Sequence, residues 1–223
     1  MQQTIHTTTI TFPEIQLKTR DAHKLRGYFG NLFKEHSPLL HNHLESGQSQ
    51  YRYPLVQYKV TEQTPMLLGF NEGAELLISL FLKVQELQLD GQVYPVFSKN
   101  ICNKRWNIGL DNDLHQYRYE TLWMGLNQDN HQRYLNTESG QERQEQLKRI
   151  AISNILAFYK SFDLLLPKEQ RIMLSLQVQE KSTRFKDQHM IAFSGGFTTN
   201  ALLPDFAGLG KSVSRGFGAV KRV

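Results

Sequence analysis

The alternation of apolar and polar residues divides the first half of the chain into strands and helices. Residues 4–18 are rich in Thr, Ile and Phe with partial alternation, which is typical of a strand. Residues 21–35 place their apolar side chains on one helical face, which predicts a helix. The pattern as a whole predicts a strand at 4–18, a helix at 21–35, strands at 51–60 and 66–70, a helix at 72–84 and a strand at 85–96.

The second half of the chain repeats this order, except that the Gly-rich loop before the last strand replaces or shortens the second helix. It predicts a strand at 117–126, a polar loop at 127–137, a long helix at 138–163, and strands at 171–179, 189–198 and 217–223. The order β-α-β-β-α-β is the ferredoxin-like one. We therefore expect an α+β fold with two tandem ferredoxin-like (RRM-like) domains. The first spans 1–104 and the second 105–223, with a Gly-rich loop before the last strand.

That loop, GLGKSVSRGFGAV, contains the letters GLGKS but does not match a nucleotide-binding motif. A Walker A loop needs a Gly five positions before Gly210, where this chain has Asp205. The dinucleotide fingerprint fails as well, because its third Gly would fall at Val213. The loop still suits an anion, since glycines allow close backbone approach and Lys211 and Arg215 can contact phosphate oxygens.

Composition and charge narrow the classes of partner. The chain has 223 residues, a net charge of +5 and a pI of about 9.2, which is compatible with an acidic polymer. Residues 208–223 carry four cations and no acid. The single cysteine, Cys102, excludes an internal disulfide and a multi-cysteine zinc site. Neither a signal peptide nor an apolar run of about 20 residues is visible, so we expect a soluble, cytoplasmic protein without membrane association.

The C-terminal stretch LPDFAGLGKSVSRGFGAVKRV carries the most specific pattern in the chain. It has a G-x-G followed a few residues later by G-F-G and a terminal strand. With the tandem fold, it resembles the RAMP superfamily of CRISPR proteins and, within it, the CRISPR repeat-processing endoribonucleases, the sixth CRISPR-associated protein family. Two further blocks agree with this resemblance, LHNHLESGQSQYRYPLVQYKV and YETLWMGLNQDNHQRY.

The resemblance implies a metal-independent endoribonuclease that cuts CRISPR precursor RNA within its repeats. It would leave a 2′,3′-cyclic phosphate and a 5′-hydroxyl, without a cofactor. The implied partner is CRISPR repeat RNA, both precursor and processed. The subunits of an effector complex stay open as further partners, and the protein would be a monomer or a homodimer.

The resemblance also implies where the site residues lie. Its catalytic histidine follows the first helix, where this chain has His43 and His41, and we favour His43. Tyr28 is the tyrosine on that helix, and Arg52 or Lys59 would supply the cation. The RNA-binding residues expected in the Gly-rich loop are Gly208, Gly210, Lys211, Ser212, Arg215, Gly216 and Gly218.

Two other functions share this fold. A non-cleaving RAMP-type subunit of a CRISPR effector complex would bind RNA with the same loop and lack a competent histidine site. A general RNA-binding protein ranks third, because no run matches the RNP pattern K/R-G-F/Y-G/A-F-V-x-F/Y. A metal site is not expected, because His41 and His43 lack a second cluster of ligands.

Overall fold

The computed structural model of the protein describes residues 2–32, 53–185 and 188–223. The chain divides into two compact units. The N-terminal unit is Thr4–Trp106 together with Val213–Gly216. The C-terminal unit is Met1–Gln3, Asn107–Ser212 and Phe217–Val223. Four residues of the Gly-rich loop therefore belong to the N-terminal unit, although the residues on both sides of them belong to the other.

The N-terminal unit is a sheet with helices on one face. Its elements are β1 (Gln2–Thr11), α1 (Ala22–Leu32), β2 (Val56–Thr61), β3 (Thr64–Phe70), α2 (Glu72–Leu80), β4 (Glu86–Leu89), β5 (Gln92–Pro95) and the first part of β6 (Asn100–Tyr119). The strand order is β2-β3-β1-β6, with β3 antiparallel to both β1 and β2. This is the strand arrangement of a ferredoxin-like domain, with β2 at one edge.

An aromatic cluster fixes α1 to the sheet. Phe29 stacks on Tyr58 at a ring distance of 5.9 Å and on Phe12 at 6.2 Å. Leu25 from the preceding turn of the helix is fully buried in the same cluster. These side chains come from positions spaced for one helical face, so the apolar pattern that predicts α1 is also the pattern that buries it.

The sequence pattern predicts that the segment at 85–96 is the fourth strand of this domain. The structure contradicts this prediction. The segment is the hairpin β4–β5, which forms a separate two-stranded sheet with Glu86 opposite Pro95. The fourth strand is the first part of β6. That segment, NICNKRWN, is largely exposed and polar, so it lacks the alternation by which buried strands are recognised.

The C-terminal unit repeats the arrangement. Its elements are the second part of β6, α3 (Gln128–Asn136), α4 (Gly140–Lys160), β7 (Leu174–Phe185), β8 (Gln188–Leu202) and β9 (Val220–Arg222). Strand β8 lies between β7 and β6, and β9 pairs with β6 at Tyr117–Tyr119. The second helix of the ferredoxin-like pattern is replaced by the Gly-rich loop, in which Val213–Arg215 form one short 3-10 turn.

Helix α3 occupies the polar stretch for which the sequence predicts a loop. Asn127 caps it, because its side chain accepts a hydrogen bond from the Asn130 amide at 2.7 Å. Tyr134 is the buried contact of this helix, and its hydroxyl donates to a carboxylate oxygen of Glu180 at 2.9 Å. One buried residue leaves no apolar stripe in the sequence, which explains the wrong prediction.

The expected fold class is confirmed: an α+β chain of two tandem ferredoxin-like domains. In the described ranges, no helix combines the length and the apolar composition that crossing a membrane requires.

Candidate functional site

Backbone hydrogen bonds tie the Gly-rich loop to the C-terminal unit. The Leu209 amide donates to the Gly218 carbonyl at 2.9 Å, which closes the loop on itself. The Lys211 amide donates to the Met124 carbonyl and the Gly218 amide to the Leu122 carbonyl, both at 2.9 Å. These hydrogen bonds fix the loop on both sides of its tip, so the tip has a defined conformation.

Two glycines are required by this packing. Gly210 has a φ of +93°, and a Cβ there would lie 2.7 Å from the Met124 carbonyl oxygen and 2.8 Å from Nε1 of Trp123. Gly218 has a φ of +67°, and a Cβ there would lie 2.0 Å from the Leu209 carbonyl oxygen. Both positions combine a left-handed backbone with a close approach, so only glycine fits them.

The seven loop residues expected to bind RNA differ in their accessibility. Gly208, Gly216 and Gly218 are buried. These three glycines therefore pack against the protein itself. The partly exposed members are Gly210, Lys211, Ser212 and Arg215. Ser212 has a φ of +55°, an uncommon conformation for a residue with a side chain.

The tip of the loop packs on the N-terminal unit. Residues 213–216 contact both α1 and β2. A Cβ on Gly216 would lie 2.5 Å from Cβ of Ala22 and 3.4 Å from the carbonyl oxygen of Tyr58. This small residue therefore brings its neighbour Arg215 close to the first turn of α1 and to the edge strand of the sheet.

Tyr28, the tyrosine expected in the catalytic site, is held on another side of α1. Its hydroxyl donates to the main-chain carbonyl of Glu86, the first residue of β4, at 2.8 Å. Partial burial raises the pKa of Tyr28, and the Glu86 carboxylate raises it further. The hydroxyl is therefore protonated near neutral pH, with its proton directed at the backbone and its oxygen still able to accept.

Lys59, one of the two cations suggested by the sequence, is fully buried in β2. Its Nζ has no hydrogen-bond partner among the residues that the structure describes. Burial lowers the pKa of Lys59 to about 7, so much of its population is neutral at physiological pH. A partly neutral, inaccessible amine is poorly placed to contact a phosphate, in contrast to the half-buried guanidinium of Arg215.

His41, His43 and Arg52 lie outside the described residues. In the part of the chain that is described, no group of three or more His, Cys, Asp or Glu residues could hold a metal ion.

A further cation near the loop, Arg26, belongs to no recognisable sequence motif. Arg26 on α1 lies close enough to Arg215 for its charge to lower the pKa of that guanidinium, after burial as the larger cause.

Two family models together match nearly the whole chain. The Cas6b N-terminal domain matches residues 3–107 and the Cas6b C-terminal domain matches residues 109–223. The junction of the two matches falls inside β6.

Solved structures and a curated relative agree with these matches. A crystal structure of Cas6b has a TM-score of 0.93 and 31% identity, covering 99% of this chain and 100% of that one. A crystal structure of the CRISPR RNA processing endoribonuclease Cas6b has a TM-score of 0.80 and 29% identity, with coverages of 99% and 100%. An uncharacterized protein of Methanocaldococcus jannaschii is 30% identical over 144 residues, which are 65% of this chain and 97% of that protein.

Proposed function

The chain belongs to the Cas6b family, and on that premise we propose that it is an endoribonuclease that cuts CRISPR precursor RNA within the repeats. The observation that carries this proposal is the likeness, along the whole chain, to a protein described as a CRISPR RNA processing endoribonuclease. The Gly-rich loop also supports an RNA partner, because its partly exposed residues include the cations Lys211 and Arg215.

The proposed reaction is a transesterification within the RNA strand and needs no metal. The 2′-oxygen attacks the adjacent phosphorus while a general base takes the 2′-hydroxyl proton. The bond from phosphorus to the 5′-oxygen breaks, and a general acid gives that oxygen a proton. The products are a 2′,3′-cyclic phosphate and a 5′-hydroxyl. Histidine suits both proton transfers because its ordinary pKa lies near neutrality.

Particular residues would share these tasks. His43, or His41 two positions before it, would move the proton. Arg52 would supply positive charge beside the phosphorane, where preorganised charge has the greatest effect. Tyr28 would position the substrate or the histidine through its hydroxyl oxygen, because the hydroxyl proton is already donated to the Glu86 carbonyl.

The Gly-rich loop would bind the RNA backbone. Four of its residues are accessible to a ligand: Gly210, Lys211, Ser212 and Arg215. The two cations would bind phosphate oxygens. Gly210 and Ser212 would let the strand pass close to the backbone, because both hold a left-handed conformation that turns the chain sharply.

The experiment is cleavage of the repeat RNA from the protein's own CRISPR locus, in EDTA, with the product ends determined. We expect a single cut within the repeat, a 2′,3′-cyclic phosphate and a 5′-hydroxyl. A single 2′-deoxy substitution immediately upstream of the scissile phosphate should abolish cleavage and leave binding unchanged. The matched control carries the 2′-deoxy substitution one nucleotide further along and should be cut normally.

Each alternative predicts a different outcome. Cleavage of the deoxy substrate, or an absolute need for Mg²⁺, would contradict the proposed chemistry. Tight binding of repeat RNA by wild-type protein without any cleavage would instead identify a non-cleaving RAMP-type subunit.

A further inference from the structure

The main chain of Trp123 connects strand β8 to the Gly-rich loop. The Trp123 amide donates to the Phe193 carbonyl at 2.8 Å, and the Phe193 amide donates back to the Trp123 carbonyl at 2.9 Å. The next carbonyl along the chain, that of Met124, accepts the hydrogen bond of the Lys211 amide at 2.9 Å. A residue fixed at both its amide and its carbonyl therefore lies directly before the group that holds Lys211.

The side chain of Trp123 is fixed as well. It is fully buried. Its Nε1 donates to Oδ1 of Asn154, on α4, at 3.0 Å. Its ring stacks on Tyr119, with 5.4 Å between the ring centroids and 6° between the ring planes. Because the ring is packed and its N–H is satisfied, the indole forms a rigid surface inside the C-terminal unit.

Two glycines lie against different parts of this indole. A Cβ on Gly125 would lie 2.6 Å from Cζ2 and 2.9 Å from Cη2, which are atoms of the six-membered ring. A Cβ on Gly210 would lie 2.8 Å from Nε1 and 3.1 Å from Cδ1, which are atoms of the five-membered ring. A packed interior accepts an extra methyl group only by shifting its neighbours. A side chain at 125 would therefore displace the indole, and a displaced indole would displace the loop at Gly210.

We propose that Trp123 is a positioning residue for RNA binding: the indole and the Met124 carbonyl after it set the place of Lys211, whose side chain binds a phosphate of the strand. This inference rests on the proposed function, because it requires Lys211 to bind RNA. The Lys211 side chain is partly exposed, and its backbone is placed by the contacts of Gly210 and Met124. Trp123 acts through these contacts, since full burial keeps the indole itself away from the RNA.

The test is binding of a non-cleavable repeat RNA, carrying the 2′-deoxy substitution at the cut, across a salt series. Gly125→Ala adds one methyl group against the six-membered ring. It should weaken binding about tenfold, the cost of a lost charge-assisted hydrogen bond. It should also lower the salt slope by about 0.7, the loss of one phosphate contact on a single strand. Gly140→Ala is the matched control, because a Cβ there meets nothing within 4 Å, and it should bind like wild type.

Two double variants separate positioning from a general loss of stability. Lys211→Ala combined with Gly125→Ala should lose no more affinity or slope than Gly125→Ala alone, because the same contact is already lost. Trp123→Phe lacks the part of the indole that the new methyl group would meet, so Gly125→Ala should have no effect in a Trp123→Phe background. An unchanged slope for folded Gly125→Ala, or full additivity with Lys211→Ala, would overturn the proposal.

A variant without added volume keeps the proposal testable if Gly125→Ala does not fold. Asn154→Ala removes the acceptor of the indole N–H, and Asn154→Asp keeps an acceptor oxygen. Asn154→Ala should lower the salt slope and Asn154→Asp should restore it, whereas a wild-type slope for Asn154→Ala would overturn the proposal. Wild type that cuts repeat RNA while Gly125→Ala and Asn154→Ala bind it normally would refute the positioning role alone. Wild type that neither binds nor cuts it would refute the proposed function as well.

Discussion

The guanidinium of Arg222 donates to Nδ1 of His115 over 2.7 Å, joining the last strand to the irregular centre of β6. The other ring nitrogen of His115 lies 2.8 Å from a carboxylate oxygen of Asp111. The Arg222 amide donates to Asp205 at 3.0 Å. These contacts anchor β9, which is only three residues long and directly follows the Gly-rich loop.

We expect Arg222→Ala to lower the free energy of unfolding by about 1 kcal/mol, the usual net worth of one hydrogen bond. A urea titration measures it, with Arg149→Ala as the control. The double variant His115→Ala with Arg222→Ala should lose less than the sum of the single losses, because the partners act as one unit. Strict additivity would show that the bond contributes nothing to stability.

Lys59→Met should stabilise the protein near neutral pH and change how its stability depends on pH. Burial lowers the pKa of Lys59 to about 7, well below its unfolded value of 10.5. Between these pH values the unfolded chain binds more protons, so this group makes stability rise with pH, by at most about 1.4 kcal/mol per unit. Lys59→Met should remove that rise.

Denaturant titrations at several pH values between about 7 and 10 would measure this effect. The control is Lys168→Met, at an exposed position, which should keep the wild-type dependence. If Lys59→Met keeps the same rise as wild type, then Lys59 retains its proton in the folded state.

Gly210→Ala should destabilise the fold by about 1–3 kcal/mol, because it forces a side chain into a left-handed conformation. The added Cβ would also lie 2.7 Å from the Met124 carbonyl oxygen. Gly140→Ala is the matched control, since a Cβ there meets nothing within 4 Å. The control should be neutral or slightly stabilising. Equal melting temperatures for the two variants would contradict the packing role of Gly210.

Lys211→Ala should weaken RNA binding without loosening the loop. The loop is held at this residue by the backbone amide, which donates to the Met124 carbonyl and stays in place. Losing one phosphate contact on a single strand should lower the salt slope by about 0.7. Binding of repeat RNA across a salt series measures this slope, with Lys168→Ala as the control. An unchanged slope would remove the Lys211 side chain from the RNA interface.

His43→Ala or His41→Ala should slow single-turnover cleavage by about 10² to 10⁴, the usual contribution of general acid–base catalysis. RNA affinity should change little, because phosphate contacts supply most of it. His23→Ala, at an exposed position of α1, is the control. Tyr28→Phe should cost less than the loss of the histidine, because the hydroxyl proton is donated to the Glu86 carbonyl. Wild-type rates for both histidine variants would exclude the pair from catalysis.

The sequence predicts the order of elements because buried faces leave a periodic pattern. The long helix α4 has clear apolar positions and lies close to its predicted range, and β7 has them as well but runs six residues beyond the predicted strand. The pattern fails where burial is slight. Helix α3 buries only Tyr134, and the exposed first part of β6 has no alternation, so the more regular hairpin at 85–96 takes its place in the predicted order.

The candidate site is only partly visible in the sequence, for a related reason. Glycines and cations near each other reveal the loop, so Lys211 and Arg215 can be named in advance. Nothing in the sequence reveals that Arg26 lies near Arg215, because this depends on where Gly216 meets Ala22 in space. The sequence misleads at Lys59. A lysine in a strand suggests a surface cation, but the sheet buries this one completely.

The assignment of Val213–Gly216 to the N-terminal unit has a consequence for synthesis on the ribosome. The segment Thr4–Trp106 emerges first, but the four residues that pack on α1 and along β2 emerge only after β6, β7 and β8. Until then β2, an edge strand of the sheet, lacks these contacts, and exposed strand edges favour pairing with other chains. The N-terminal unit is therefore complete only after residues 213–216 have been synthesised, and a stalled translation product would be prone to aggregate.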